Sequence, residues 1–160
     1  MNIFHEVSEF LLFLMSGTVE SVGLIACCLA VASVKLRWKI IMTIAPIFTV
    51  IIYLIRHIPV TFGLHTIAGI LLLVMFMTKA TRVPPSSSFL VSFVGFAILG
   101  LLERLIMELS AIVLKADISI IMSDYLLWKG LGLLQGMLLV LMALLIAKKR
   151  IPMEGMWRIH

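Results

Sequence analysis

Apolar runs separated by short polar segments make up almost the whole chain. The runs cover about residues 7–34, 40–55, 61–78, 89–114 and 125–147. A helix that crosses a bilayer needs about 20 apolar residues. We therefore expect residues 1–150 to form an all-α, polytopic membrane helix bundle with five transmembrane helices. Residues 151–160 are expected to form a short cytoplasmic tail.

The connections between the runs carry the strongest signals for loops. The segment Pro84-Pro85-Ser86-Ser87-Ser88 predicts a loop, because proline cannot continue a helix and serine competes for backbone hydrogen bonds. The run 40–55 is short: its 16 residues give about 24 Å against a hydrocarbon core of about 30 Å. The turn at 56–59 is therefore expected to lie below the membrane surface, shielded by neighbouring helices.

Composition excludes several classes of protein. The 160 residues are 62% hydrophobic and 13% charged, whereas a soluble domain is about 45–50% apolar and about 25% charged. An ordinary cytoplasmic globular protein, a disordered chain and a secreted disulfide scaffold are excluded. The acidic flank of the first run, with Glu6 and Glu9, also differs from the basic start of a signal peptide, so we expect that run to be retained as a helix.

The distribution of charge predicts the orientation. The chain has 13 Lys and Arg against 8 Asp and Glu, but the bases lie in short clusters between the runs, which is not typical of nucleic-acid binding. Segments 35–39, 79–88 and 148–150 are rich in bases, and the N-terminus, 56–62 and 115–124 are poor in them. Because translocating positive loops is disfavoured, we expect an outside N-terminus and a cytoplasmic C-terminus, as in a multi-pass protein of a bacterial cytoplasmic membrane.

With that orientation, the charges inside the apolar runs fall in the outward half. A charge at the centre of a membrane helix costs about 2.5–3.5 kcal/mol and usually faces the bundle interior. We therefore predict an outward-facing polar pocket for a small ligand or peptide, lined by Glu20, Arg56, His65, Glu103, Arg104 and Lys129. The alternative is structural pairing, since Arg104 and Glu108 are spaced i,i+4 and Lys129 can extend towards the headgroups.

No pattern typical of catalysis, a metal or a cofactor accompanies these charges. Cys27 and Cys28 lie far along the first run from the histidines of the outer turn, so a cysteine–histidine nucleophile is excluded. His57, His65 and His160 have no carboxylate at i,i+4, so we predict no metal site, no cofactor and no catalytic residue. The cysteines, and the small residues around Gly17 and Gly23, are interpreted as packing positions.

The basic clusters and two tryptophans predict a surface that contacts anionic lipid or a partner protein. Its members are Lys35, Arg37, Trp38, Lys39, Lys148, Lys149, Arg150 and Trp157.

Three stretches resemble a known family. They are KLRWK after the first run, IRHIPVTFGLHT between the next two, and LLERLI in the fourth. Together they resemble the multi-pass membrane sensor region of Gram-positive sensor histidine kinases related to peptide-pheromone receptors. The resemblance implies sensing of an outside ligand and signalling through the last helix. The chain departs from that family because it has no phospho-accepting helix and no ATP-binding domain.

Taken together, these features predict a non-enzymatic membrane sensor-like or regulatory subunit. It would lie in the lipid bilayer and act through a protein partner or as a homo-oligomer. The alternatives are a small membrane transporter component and a structural subunit of a larger membrane complex. A transport path needs polar residues in both halves of the bundle, and here the inner half is apolar.

Overall fold

The computed structural model describes the backbone of residues 3–57 and 63–158, and the side chains of 7–55 and 63–158. The described part of the chain is almost entirely helical and contains no strand, so the all-α prediction is confirmed. The helices are α1 (Ile3–Val31), α2 (Trp38–His57), α3 (Leu64–Ala80), α4 (Pro85–Leu114), α5 (Ile118–Ser123) and α6 (Tyr125–Lys149).

Helix α1 lies at the centre of the bundle. It packs against α2, α4 and α6, and residues 21–30 are all buried. A helix that is apolar on every side is stable only when other elements surround it. Ile25 and Leu29 of α1 meet Ile41 of α2, and Leu73 and Met77 of α3, in one apolar core.

Helices α1 and α6 cross at close range through two glycines. A Cβ placed on Gly23 would lie 2.6 Å from the Leu139 Cβ, and one placed on Gly136 would lie 2.8 Å from the Glu20 nitrogen. Neither site has room for a side chain. The backbones of α1 and α6 therefore lie as close together as small residues allow in membrane helices. Gly23 belongs to the small-residue stretch that the sequence assigned to packing.

Two helix boundaries differ from the expectation. Helix α4 begins at Pro85, four residues before the predicted start at 89, with Pro84 as its N-cap residue. Proline is favoured in the first helical turn, where its missing N–H has no intrahelical partner to lose. The Ser88 N–H then donates to the Pro84 carbonyl at 2.9 Å. Helix α2 begins at Trp38, two residues before the predicted start at 40, so it is longer than the 16-residue apolar run from which it was predicted.

Within the described residues, four helices are long and apolar enough to cross a membrane. The candidate spans are Val7–Val31, Trp38–Ile55, Pro85–Leu114 and Tyr125–Lys149. Helix α3 is apolar but has only 17 residues. The six-residue helix α5, which the sequence analysis did not predict, connects α4 to α6 and buries Ile121.

The C-terminal tail is docked on its own chain. The Met153 N–H donates to the Ser33 carbonyl at 3.0 Å, and the Arg158 N–H donates to the Ala80 carbonyl at 2.9 Å. These bonds bring the α1–α2 connection, the α3–α4 connection and the tail together. We call this end of the bundle (residues 32–37, 81–84 and 150–158) the tail end. The opposite end, which is nearer to a cavity between the helices, is called the cavity end.

Trp157 departs from the lipid- or partner-facing role expected for it. Its side chain is only 8% exposed, and its Nε1–H donates to the Lys35 carbonyl at 2.7 Å. The Arg37 guanidinium lies 5.6 Å from the centroid of its ring. The indole N–H thus has a backbone carbonyl of the α1–α2 connection as its acceptor. Trp157 packs against its own chain rather than facing lipid or a partner. Of the predicted surface, Lys35, Arg37, Trp38, Lys39, Lys148, Lys149 and Arg150 are exposed.

Candidate ligand-binding cavity

A cavity of about 240 Å³ lies between the five long helices, nearer the cavity end. Each of these helices contributes polar side chains to its lining. They are Ser16, Glu20 and Ser21 of α1, Thr49 of α2, His65 and Thr66 of α3, Glu103 of α4, and Lys129 and Gln135 of α6. Aromatic rings line it as well, among them Phe13, Phe48, Phe96 and Trp128. The cavity is therefore polar and aromatic within an otherwise apolar bundle.

The structure brings together four of the six pocket residues proposed from the sequence. Glu20, His65, Glu103 and Lys129 all line the cavity. Arg104 is not among the lining residues: its side chain is 76% exposed, and its Nε donates to Glu108 Oε1 at 2.8 Å. The remaining residue, Arg56, has a side chain that lies outside the described residues.

The crossing of α1 with α6 fixes the position of Glu20. Its backbone nitrogen lies against Gly136 of α6. The backbone of Glu20 therefore cannot move away from α6 unless the two helices separate. The next residue, Ser21, hydrogen-bonds Thr49 of α2 with 2.9 Å between the hydroxyl oxygens. Since the Thr49 hydroxyl donates to the Ala45 carbonyl at 3.0 Å, Ser21 is the donor in that pair. Glu20 is thus held between two fixed contacts.

Aromatic rings surround the ammonium group of Lys129. The Lys129 Nζ lies 4.4 Å from the centroid of the Phe13 ring and 5.3 Å from that of Tyr125. Both distances are within the range of cation–π attraction, about 6 Å. Tyr53 packs on Phe13 with 4.9 Å between ring centroids, and Phe10 packs on Tyr53 with 5.2 Å. We call Phe10, Phe13, Tyr53 and Tyr125 the aromatic cluster.

The aromatic cluster also ties α6 to α1. The Tyr125 hydroxyl donates to the backbone carbonyl of Glu9. This cluster was not predicted from the sequence, because only charged residues and one histidine were considered as pocket candidates. The spacing of Phe10 and Phe13, three residues apart on one helix face, was the available signal.

Gln135 is a second lining residue that the sequence analysis missed. It is 5% exposed, and its Nε2 donates to the Leu99 carbonyl at 3.1 Å, which joins α6 to α4. A buried amide is stable only when it is hydrogen-bonded. A single amide inside an apolar run of membrane length was the signal that could have identified it.

On the side towards the tail end, the cavity meets an apolar floor. Leu24 and Phe48 are the lining residues there, and beyond them residues 25–30 of α1 are at most 2% exposed. Cys27 and Cys28 belong to this packed region, are unpaired with each other and have no exposed surface. The Cys28 thiol donates to the Val91 carbonyl at 3.6 Å, which agrees with a packing role.

The described side chains include no group of three or more His, Cys, Asp or Glu arranged to hold a metal ion. No family model, curated protein or solved structure matches this chain.

Proposed function

We propose that this chain is a non-enzymatic membrane sensor or regulatory subunit of a bacterial cytoplasmic membrane. A small ligand or a peptide segment occupies the cavity. A protein partner binds at the tail end and responds to the change that the ligand causes in the bundle. The observation that carries this proposal is that all five long helices line one cavity. A ligand that contacts every helix favours one arrangement of the bundle over another, which is what a sensor requires.

The chain crosses the membrane five times in this proposal, with its N-terminus outside. Helices α1, α3 and α6 end at the tail end, and α2 and α4 begin there, which supports an odd number of crossings. Helix α3 spans about 26 Å at 1.5 Å per residue, a shortfall that local thinning of the bilayer accommodates. Nine of the 13 bases lie in 35–39, 79–82 and 148–158, with Glu154 as the acid among them. That excess supports a cytoplasmic tail end.

A pair of cysteine variants tests this orientation. Ser123→Cys lies at the cavity end and Ser86→Cys at the tail end, and both serines are exposed. In a background with Cys27→Ala and Cys28→Ala, a membrane-impermeant maleimide should label Ser123→Cys in intact cells. Ser86→Cys should be labelled only after permeabilisation. The reverse pattern contradicts an outward-facing cavity.

The route from the cavity to the tail end runs along α1 and α6. These helices cross at Gly23 and Gly136, one turn from the Glu20 position. Helix α6 ends at Lys149, and the Nη1 of the next residue, Arg150, donates to the Val31 carbonyl at 2.7 Å. A shift of α6 relative to α1 would therefore move the docked tail and the exposed bases around it, where a partner binds.

Purification of the tagged full chain from its native membranes, in mild detergent, tests the role of a partner. We expect one stoichiometric partner, identified by mass spectrometry and retained by both Glu20→Gln and the control Glu108→Gln. Loss of that partner with Glu20→Gln alone would make Glu20 an interchain contact, as in a structural subunit. A transport ATPase as the partner would favour a transporter component. A homo-oligomer that carries only lipid contradicts the proposal.

A further inference from the structure

A cleft of about 220 Å³ lies at the tail end, between the connection that follows α1 and the end of α6. Both segments contribute apolar walls, which are formed by Ala30, Val34, Leu36, Ala147 and Pro152. The polar residues of the lining are Ser33, Lys35 and Arg150, and none of the described lining residues is acidic. Two bases and a hydroxyl group therefore share a cleft whose other surfaces are apolar.

The guanidinium group of Arg150 is oriented through one of its nitrogens. Its Nη1 donates to the Val31 carbonyl at 2.7 Å and to the Ser33 hydroxyl at 3.5 Å. An arginine has five N–H donors, and two parallel ones, such as those on Nε and Nη2, match two oxygens of a phosphate. The described hydrogen bonds of Arg150 use Nη1 alone. The Nε and Nη2 donors are therefore available to an anion in the cleft.

Lys35 supplies the second base of the cleft without holding the tail. The Trp157 indole N–H bonds the carbonyl of Lys35 at 2.7 Å, so that contact does not involve the ammonium group. The Lys35 side chain is exposed and lines the cleft. A single exposed base attracts an anion weakly, because water and salt screen it. Two bases beside apolar walls attract the same anion more strongly, since less water lies around the charges.

The level of the cleft along the helices indicates where its anion comes from. The candidate membrane spans of α1 and α6 end at Val31 and Lys149, and the cleft is lined by residues on both sides of these two ends. The apolar walls thus begin inside the spans, and the bases follow at the ends. In a bilayer, phospholipid headgroups lie at this depth. Trp38, which is 38% exposed at the start of α2, is a residue typical of the same interface.

The surroundings of the cleft are also basic. Nine of the 13 bases lie in 35–39, 79–82 and 148–158, with Glu154 as the acid among them. All nine bases are exposed. Clusters of bases beside the ends of membrane helices attract anionic lipid to the adjoining leaflet. The lipids that surround this end of the bundle are therefore enriched in the headgroups that fit the cleft.

We propose that the cleft binds the headgroup of an anionic phospholipid. The lipid phosphate accepts hydrogen bonds from the Arg150 guanidinium and the Lys35 ammonium group, and the glycerol and the first acyl carbons lie along the apolar walls. A lipid in this position contacts the ends of both α1 and α6, so it stabilises the docked arrangement of the tail. The inference goes beyond the proposed function and is independent of what occupies the cavity.

Native mass spectrometry of the full chain in mild detergent tests the site by counting bound lipids during a titration. The probes are phosphatidylglycerol, which is anionic, and phosphatidylcholine with the same acyl chains, whose trimethylammonium group balances its phosphate. We expect one phosphatidylglycerol to bind saturably, at least about tenfold more tightly than phosphatidylcholine, the size expected for one charged hydrogen bond. Inorganic phosphate in excess should not displace it, because it lacks the apolar part that the walls cover.

Charge variants locate the binding. Lys35→Gln and Arg150→Gln should each weaken phosphatidylglycerol by about tenfold. Lys39→Gln and Lys148→Gln are the matched controls, because both bases are exposed near the tail end but lie outside the cleft lining. They should change the affinity by less than about twofold. Lys35→Gln is the decisive variant, since it keeps the carbonyl that holds Trp157. Gel filtration and helical circular dichroism check that each variant folds.

Four results would overturn the assignment. Equal affinity for the two lipids, or no saturable binding, would remove the anionic headgroup. Displacement by inorganic phosphate would make the cleft a site for a soluble anion. The same loss with Lys39→Gln and Lys148→Gln would indicate diffuse attraction without a site. A loss with Arg150→Gln alone would leave Arg150 as a cap on the end of α1.

The partner experiment does not depend on the lipid. A partner that is retained by a chain whose cleft shows no preference for phosphatidylglycerol would keep the proposed function and remove only the lipid site. Loss of the partner with normal binding of phosphatidylglycerol would do the reverse.

Discussion

The two halves of the bundle use the same helices in different ways. Towards the tail end, residues 24–30 of α1 are at most 2% exposed and pack into a continuous apolar core. Towards the cavity end, residues 17–20 of the same helix are only partly buried, and Gly17 and Glu20 line the cavity. One half is filled to hold the helices together, and the other leaves space between them. Regions that bind ligands commonly have lower local stability than the core beside them.

The charges divide in the same way. At the tail end, the bases of 35–39 and 148–150 are exposed. At the cavity end, Glu20 and Lys129 lie partly buried between helices. Exposed bases contribute little to the free energy of folding, whereas charges between helices must be offset by nearby polar or aromatic groups. The tightly packed side chains are therefore concentrated near the tail end, and the partly buried charges lie near the cavity end.

The largest expected effect is at the helix crossing between the two halves. Gly136→Leu places a side chain against the backbone of Val19 and Glu20, which cannot move aside as a flexible side chain would. We expect a loss of about 4 kcal/mol or more in the free energy of unfolding, measured by thermal unfolding in detergent. The control is Gly130→Leu on the same helix, where an added Cβ meets no described atom within 4 Å. An equal loss at both positions would contradict the close crossing.

Trp157→Ala should undock the tail and expose the tail end. The substitution removes a side chain that is 8% exposed and its hydrogen bond to the Lys35 carbonyl. We expect a loss of about 3 kcal/mol, together with faster trypsin cleavage after Arg150. Ile151→Ala, at a position 91% exposed, should change neither measurement. If the two variants are cleaved equally fast, the tail is not held by Trp157.

A pair of positions one helical turn apart compares the halves directly. Leu139→Ala removes a side chain with no exposed surface from the packed half of α6, and we expect a loss of about 3 kcal/mol in the free energy of unfolding. Gln135→Leu, beside the cavity, replaces one hydrogen bond to Leu99 by an apolar group of similar size, and we expect a change below about 1 kcal/mol. Equal losses, measured by denaturant titration, would remove the contrast between the halves.

The features that could be predicted from sequence are those set by local pattern. Apolar runs of membrane length predicted helices, and the depth of each charge along its run placed Glu20, His65, Glu103 and Lys129 in the same half of the bundle. The α4 start at Pro85 was missed because proline was treated only as a helix breaker, although its missing N–H is harmless in the first turn.

Contacts between distant parts of the chain could not be predicted in this way. The tail docks through bonds such as that from the Met153 N–H to the Ser33 carbonyl, across more than a hundred residues. No periodicity in the sequence encodes such a pairing. The same holds for the bond from Gln135 to Leu99, since any carbonyl of a facing helix is an equally good acceptor until the packing is known.

The smallest expected effect concerns the ion pair of Arg104 and Glu108. The sequence left open whether Arg104 belongs to a pocket or to a structural pair, and its Nε lies 2.8 Å from Glu108 Oε1 on an exposed face of α4. Exposed i,i+4 pairs contribute about 0.3–0.5 kcal/mol, so Arg104→Gln should lower the free energy of unfolding by less than about 0.5 kcal/mol. A larger loss, measured by denaturant titration in detergent, would contradict an exposed pair on the outer face of α4, because only a pair shielded from water contributes more than this.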